Sequence, residues 1–148
     1  MKKKLFVFTL IVLVVGSAIG VYAYKEYNRK AIDISLSVPD FKDSALNLLT
    51  EFESNDSLSQ KKYVGKLLLV DGAIKEISQD DKGFYTIALG DSTSMTSVRC
   101  SMDSLFQNNQ ATLVKGQPVS IKGVCSGYNA DELLGSDLIL VRCAINKQ

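Results

Sequence analysis

From Leu5 to Tyr24 (LFVFTLIVLVVGSAIGVYAY) the chain carries no charged side chain. At about 1.5 Å of rise per residue, a helix of that length spans roughly 30 Å, the hydrocarbon thickness of a bilayer. A run so long and so uniformly apolar does not suit the core helix of a soluble domain, so it divides the chain. Residues 1–4 form a basic cytoplasmic tail with Lys2, Lys3 and Lys4, residues 5–24 a transmembrane anchor or signal peptide, residues 25–39 a linker, and residues 40–148 a folded domain. Two readings of the apolar run stay open. Val21-Tyr22-Ala23 fits a signal-peptide cleavage site, whereas the length of the run and the tyrosines Tyr22 and Tyr24 fit an uncleaved anchor with an interfacial aromatic belt. In both readings the lysines hold the N-terminus in the cytoplasm and the domain is exported. The expected location is the cell membrane, single-pass, with the C-terminal domain extracytoplasmic, or secreted or periplasmic after cleavage.

The chain has no histidine and no tryptophan. That removes a Ser-His-Asp triad, a Cys-His dyad and any imidazole metal site. The whole chain has 17 Lys+Arg and 16 Asp+Glu; without the three leading lysines, 14 basic residues face 16 acidic ones, a net charge of −2. This balance argues against nucleic acid held by bulk electrostatics. Asp80-Asp81 and Asp131-Glu132 are acidic pairs in turn-forming stretches, without the regular ligand spacing of a calcium loop. No glycine-rich turn leads into Gly-Lys-Ser or Gly-Lys-Thr. The expectation is a non-enzymatic domain with no metal and no cofactor.

Hydrophobic periodicity separates a helical prelude from a run of strands. Apolar residues at 41, 45, 46, 48, 49 and 52 predict an amphipathic helix from Phe41 to Phe52, with Pro39 and Asp40 at its start. Asp56 or Ser57 would cap a second short helix through Lys62, aligned by Leu58. From Lys66 the period becomes two. Lys66–Ile77, Phe84–Leu89, Ser97–Met102, Val119–Cys125 and Leu138–Ile145 read as five strands. Leu68, Val70, Gly72 and Ile74, then Tyr85, Ile87 and Leu89, then Val98, Cys100 and Met102, then Val119, Ile121, Gly123 and Cys125 are the expected inward faces. Asp103–Gln110 offers a helical turn or two between the third and fourth strands, and Ser126–Ser136 reads as a loop. An open sandwich would give similar alternation, but the long first strand with Gly72 at an internal bend favours closure into a barrel. The fold class is therefore all-β with helical additions: a five-stranded OB-fold Greek-key barrel preceded by an amphipathic helix and an N-terminal transmembrane helix.

Lys62-Tyr63-Val64-Gly65-Lys66, Val70-Asp71-Gly72 and Gly116-Gln117-Pro118-Val119-Ser120-Ile121-Lys122-Gly123-Val124-Cys125-Ser126-Gly127 resemble the tRNA_anti-like OB-fold family of bacterial proteins. The resemblance covers roughly residues 40–145. Its most specific pieces are the Tyr-x-Gly-Lys segment, the Lys-Gly-x-Cys-x-Gly strand and Cys143 on the last strand. It implies an OB barrel, often behind an N-terminal membrane segment or lipid anchor, and no particular activity.

Cys100, Cys125 and Cys143 fall on the third, fourth and fifth strands, with no CxxC pair. Outside the cytoplasm, one disulfide and one buried thiol are expected. The fifth strand of an OB barrel neighbours both the third and the fourth, so Cys143 has two possible partners. The family-like strand carries Cys125, which favours a Cys125–Cys143 disulfide; three buried thiols are the alternative.

OB barrels bind ligands on the face of their second and third strands and the loops beside it. There the expected contact patch is Phe84 on strand two, Arg99 on strand three and Tyr128 in the loop between strands four and five. An exposed aromatic, a guanidinium and a loop tyrosine are the residue types that dominate interfaces. The competing reading is Phe84 covered by the N-terminal helix. The function expected is a membrane-held binding module for an unknown protein or small ligand in the envelope, with single-stranded nucleic acid as the alternative ligand by fold analogy.

Overall fold

The computed structural model describes residue 20 and residues 34–103, 113–131 and 135–146. Apart from Gly20, the apolar run at 5–24 lies outside the described residues, as do most of the linker and the 104–110 stretch expected to be helical. Among the described residues, no helix is long and apolar enough to cross a membrane.

After a 3₁₀ turn at Ile34–Leu36 come β1 (Phe41–Ser44), α1 (Ala45–Ser54), α2 (Asp56–Tyr63), β2 (Leu67–Gln79), β3 (Tyr85–Leu89), β4 (Ser97–Met102), β5 (Pro118–Asn129) and β6 (Asp137–Ile145). The sheet runs β1-β2-β3-β4-β6-β5, and β5 pairs again with β2. Strands β2 to β6 thereby form a five-stranded closed barrel, the architecture of an OB-fold. The long β2 makes closure possible: Leu67–Ala73 pair with β5, and Ile74–Gln79 pair with β3.

The predicted first helix begins four residues late. Phe41–Ser44 are strand, paired in parallel with Leu68–Asp71. The β2 edge offers these residues backbone partners, and the Leu67 amide donates to the Asp40 carboxylate at 2.8 Å. Ser44 is then the N-cap of α1, its side chain accepting from the Asn47 amide at 3.2 Å. The second helix is capped by Asn55, whose side chain accepts from the Leu58 amide at 3.1 Å. Its buried positions are Ser59 and Tyr63, and Leu58, expected to align it, is exposed.

The strand parities read from the sequence place the core. Leu68, Val70, Ile74, Ile87, Leu89, Val98, Cys100, Met102, Ile121 and Cys125 all point inward and are buried. Ala45, Leu48, Leu49 and Phe52 of α1 join the same cluster. The bend in β2 is not at Gly72 itself. The register slips between Ile74 and Glu76, while a Cβ at Gly72 would lie 3.1 Å from the Ala45 Cβ. Gly72 thus admits the start of α1, and the bulge that bends the strand sits at Lys75.

A second bulge reshapes β6. Lys122 pairs with Ala144 and Val124 with Val141, so β6 carries one extra residue opposite Gly123. Arg142 adopts φ 56°, the left-handed region. Simple alternation from Leu138 and Leu140 would aim Arg142 into the core. The bulge turns Arg142 outward and brings Cys143 in, fully buried.

Candidate functional site

The outer face of β2, β3 and β4 is built in rows set by strand register. Glu76, Ala88, Arg99 and Ile139 lie side by side across four strands, and Ser78, Thr86 and Ser101 form the next row. Phe84 ends the ribbon beyond them, 43% exposed. The chemistry is small and hydroxylic in the middle, aromatic at one end and charged at the other.

Each end is held in place. At the β2–β3 hairpin, Asp80 Oδ1 accepts from the amides of Lys82 (2.9 Å) and Phe84 (2.8 Å), and the Asp80 amide donates back to the Phe84 carbonyl at 3.0 Å. Asp80, expected to be an ordinary solvated turn residue, therefore positions Phe84. At the other end, Arg99 Nε donates to Asp137 Oδ2 at 2.6 Å, and Ser97 Oγ donates to Asp137 Oδ1 at 2.7 Å. Asp137 was not singled out by sequence reasoning; its place at the start of the last strand was the available signal. Nearby, Lys75 Nζ donates to the carbonyls of Ser94 (2.6 Å) and Thr96 (3.2 Å), bracing the β3–β4 loop from the β2 bulge.

Phe84 and Arg99 share this outer face at opposite ends, and Tyr128 does not join them. Tyr128 lies within β5, not in a loop, and its ring stacks on Phe52 with centroids 5.0 Å apart. The cause is a register slip between Cys125 and Gly127, where Gly127 takes φ 157°. That slip turns Tyr128 toward α1, where Phe41, Phe52 and Tyr63 complete an aromatic cluster. Phe84 is not covered by the helices.

The expected Cys125–Cys143 disulfide is absent, and all three cysteines are free, buried thiols. Cys125 stands opposite Leu140 on β6, while the bulge seats the Cys143 thiol over Gly123. Burial pushes the Cys125 thiol up to about 11.

Beyond the outer face, the helices carry an ionic knot. Glu51 accepts from Lys62 Nζ (2.8 Å) and from the Tyr63 hydroxyl (2.7 Å), and Lys62 Nζ lies 4.6 Å from the Tyr63 ring centroid. The hydrogen bonds from Lys62 and Tyr63 hold the Glu51 carboxyl below its ordinary value. A groove of ≈ 730 Å³ runs along the β2–β5 seam, lined in part by Asp71, Val119, Ser120 and Asn146. Asp71 there accepts from the Ser120 hydroxyl and faces Lys42 Nζ at 3.6 Å. Among the described residues, no three His, Cys, Asp or Glu side chains cluster to hold a metal ion.

The tRNA_anti-like family model matches residues 1–145, and the chain belongs to that family. Among solved structures, it is similar to a "putative nucleic acid-binding lipoprotein" from Klebsiella pneumoniae, with TM-score 0.55 and 16% identity over 72% of this chain and 92% of that one. It also matches the asparaginyl-tRNA synthetase of Entamoeba histolytica in complex with asparaginyl-adenylate, at TM-score 0.38 and 13% identity, over 55% of this chain and 20% of that one. The S. pombe Stn1–Ten1 complex matches at TM-score 0.36 and 16% identity, over 55% of this chain and 59% of that one. At these identities the likeness is one of fold. No curated protein matches the chain.

Proposed function

We propose that this tRNA_anti-like chain is a membrane-anchored, extracytoplasmic binding module without catalytic activity, which takes a protein or small ligand of the envelope on the outer face of β3 and β4. The observation that carries the reading is the exposed Phe84, fixed by Asp80 at the edge of a shelf made by Ser78, Thr86 and Ser101. A rigidly held exposed aromatic beside small hydroxyl side chains provides apolar contact area with hydrogen-bonding groups around it. The anchor rests on the charge-free run at 5–24 behind three lysines.

Single-stranded nucleic acid is the second reading, supported by the name of the Klebsiella lipoprotein and by the fold. The electrostatics oppose it. Arg99 is neutralised by Asp137, Lys75 is committed to two carbonyls, and Glu76 and Asp80 border the shelf. A phosphate backbone needs a basic groove and produces a steep salt dependence.

Three experiments test the proposal on the full chain. A photo-crosslinking residue at position 84, compared with one at exposed Leu58, should give a discrete adduct in native membranes from position 84 alone; equal labelling from both would overturn the assignment of the face. Titration with fluorescent oligonucleotides should show no binding that weakens steeply as salt rises, and a steep salt slope would transfer the conclusion to nucleic acid. For location, alkaline phosphatase fused after Gln148 should be active, and an inactive fusion would refute export.

A further inference from the structure

The 3₁₀ turn at Ile34–Leu36 and the residues after it are strapped to the barrel. Ile34 is buried, and the turn packs on β6 and β5. The Ser37 amide donates to the Ile34 carbonyl at 3.2 Å, and the Ser37 carbonyl accepts from Lys122 Nζ at 3.2 Å. Asp40 fixes the far end: its amide donates to the Leu67 carbonyl at 2.8 Å, and its carboxylate accepts from the Leu67 amide. On this pinned backbone Leu36 and Val38 are 84% and 88% exposed, the two most exposed large hydrophobic residues among those described. A single exposed aliphatic side chain is ordinary. The two most exposed ones, two positions apart on a fixed strap, form a ready apolar contact.

We propose that Leu36 and Val38 seat this part of the domain on the surface of a phospholipid bilayer, their side chains entering between the headgroups. The seat rests on the anchor reading of residues 5–24. Only nine residues, 25–33, separate that run from the strap. A tether of that length reaches about 30 Å when extended. It keeps lipid at high local concentration, so a contact too weak to hold a free protein on a membrane is occupied. The charges beside the strap agree. Lys42, Leu69 and Lys122 form one row across β1, β2 and β5, and Lys122 bonds the strap itself. The nearby carboxylates are engaged: Asp40 by the Leu67 amide, Asp71 by the Ser120 hydroxyl and Lys42. Aliphatic side chains flanked by lysines suit an interface where apolar groups reach the acyl boundary and ammonium groups meet phosphate.

The chain has no tryptophan, so a single introduced one reports alone. Full-length Leu36→Trp is reconstituted into vesicles of phosphatidylcholine and phosphatidylglycerol, with or without bromine on the acyl chains near the headgroup. Leu58→Trp, at an exposed position of α2, is the reference. Retention after an alkaline carbonate wash reads the anchor separately. In retained chain, emission from position 36 should be blue-shifted and lost to bromine, while emission from position 58 should be neither. Adding Val38→Asp to Leu36→Trp should restore the emission. Quenching unchanged by Val38→Asp would mean that the introduced ring enters lipid by itself, which overturns the seat. Retained chain with position 36 unquenched, or with both positions quenched alike, overturns the seat and leaves the anchor standing. A blue shift without quenching assigns the strap to a second copy or another protein, and likewise overturns it. Chain released by the wash overturns anchor and seat together. Should Leu36→Trp fail to fold, Val38→Trp reports from the same strap.

Discussion

Tyr128 on β5 and Phe52 on α1 stack with ring planes 28° apart, so the residue best suited by type to a contact patch is part of what holds the helix on the barrel. Phe52 is fully buried and also lies 5.7 Å from the Tyr63 ring. Phe52→Ala should therefore cost about 3–5 kcal/mol, the usual loss for a buried phenylalanine. Tyr128→Ala should lower stability as well, whereas Phe84→Ala should change it little. Urea unfolding followed by circular dichroism checks all three. A neutral Tyr128→Ala would show that the stack contributes nothing.

Asp137 is expected to matter more than the arginine it binds. The Arg99–Asp137 pair is largely exposed on the arginine side, and pairs of that kind contribute about 0–1 kcal/mol. Ser97 is a buried hydroxyl that donates to the same carboxylate. Arg99→Ala should stay within about 1 kcal/mol of the parent. Asp137→Ala leaves the Ser97 hydroxyl without that acceptor and should cost about 1–3 kcal/mol. Equal losses in the two variants, measured by denaturant titration, would contradict this ordering.

The strand interiors were legible in the sequence because each strand buries one face, so inward residues recur every second position from Leu68 to Cys125. The bulges were not legible. At Lys75, Gly127 and Arg142 the register slips by one residue, and each slip reverses which neighbours face inward. Tyr128 consequently reads as a loop residue in the sequence but lies on β5, and Cys143 reads as the partner of Cys125 but is a free, buried thiol. Arg142 held the one available signal: a charged residue at an inward parity of a buried strand implies that the parity changes there. The start of α1 was hidden for another reason. Phe41 fits both periodicities, and only the free edge of β2 decides that Phe41–Ser44 are strand. Of the site, Phe84 and Arg99 were read correctly as outward residues. The Asp80 and Asp137 side chains that fix them depend on contacts between segments that the sequence does not display.

Gly123 should be intolerant of a side chain for a reason specific to Cys143. Its added Cβ would lie 2.5 Å from the Cys143 sulfur and 3.1 Å from the Leu140 Cβ. Gly123→Ala should destabilise by about 1–3 kcal/mol, the range for forcing extra volume into a packed core. In a Cys143→Ala background the same change should cost less, because the sulfur is gone, though Leu140 still limits the space. A double-mutant cycle measures the coupling. Strict additivity would place the clash elsewhere.

Stability should fall on the alkaline side because of a buried thiol. Cys125 has its proton affinity raised by burial, from an ordinary value of 9.0 to about 11. A thiol raised in the folded state is ionised first in the unfolded chain. Its contribution is therefore complete below pH 9 and is lost as pH rises through about 11. Glu51 works in the opposite direction. Its hydrogen bonds to Lys62 and Tyr63 lower its value from 4.5, so its contribution is present above pH 4.5 and disappears as pH falls through the depressed folded value. The unfolding midpoint in urea should thus have an acid limb that Glu51→Gln flattens and an alkaline limb between pH 9 and 11 that Cys125→Ala flattens. The measurements are made under reductant, to keep all three thiols free. An alkaline limb unchanged in Cys125→Ala would mean that Cys143 or Tyr63, whose values burial also raises, governs that side instead.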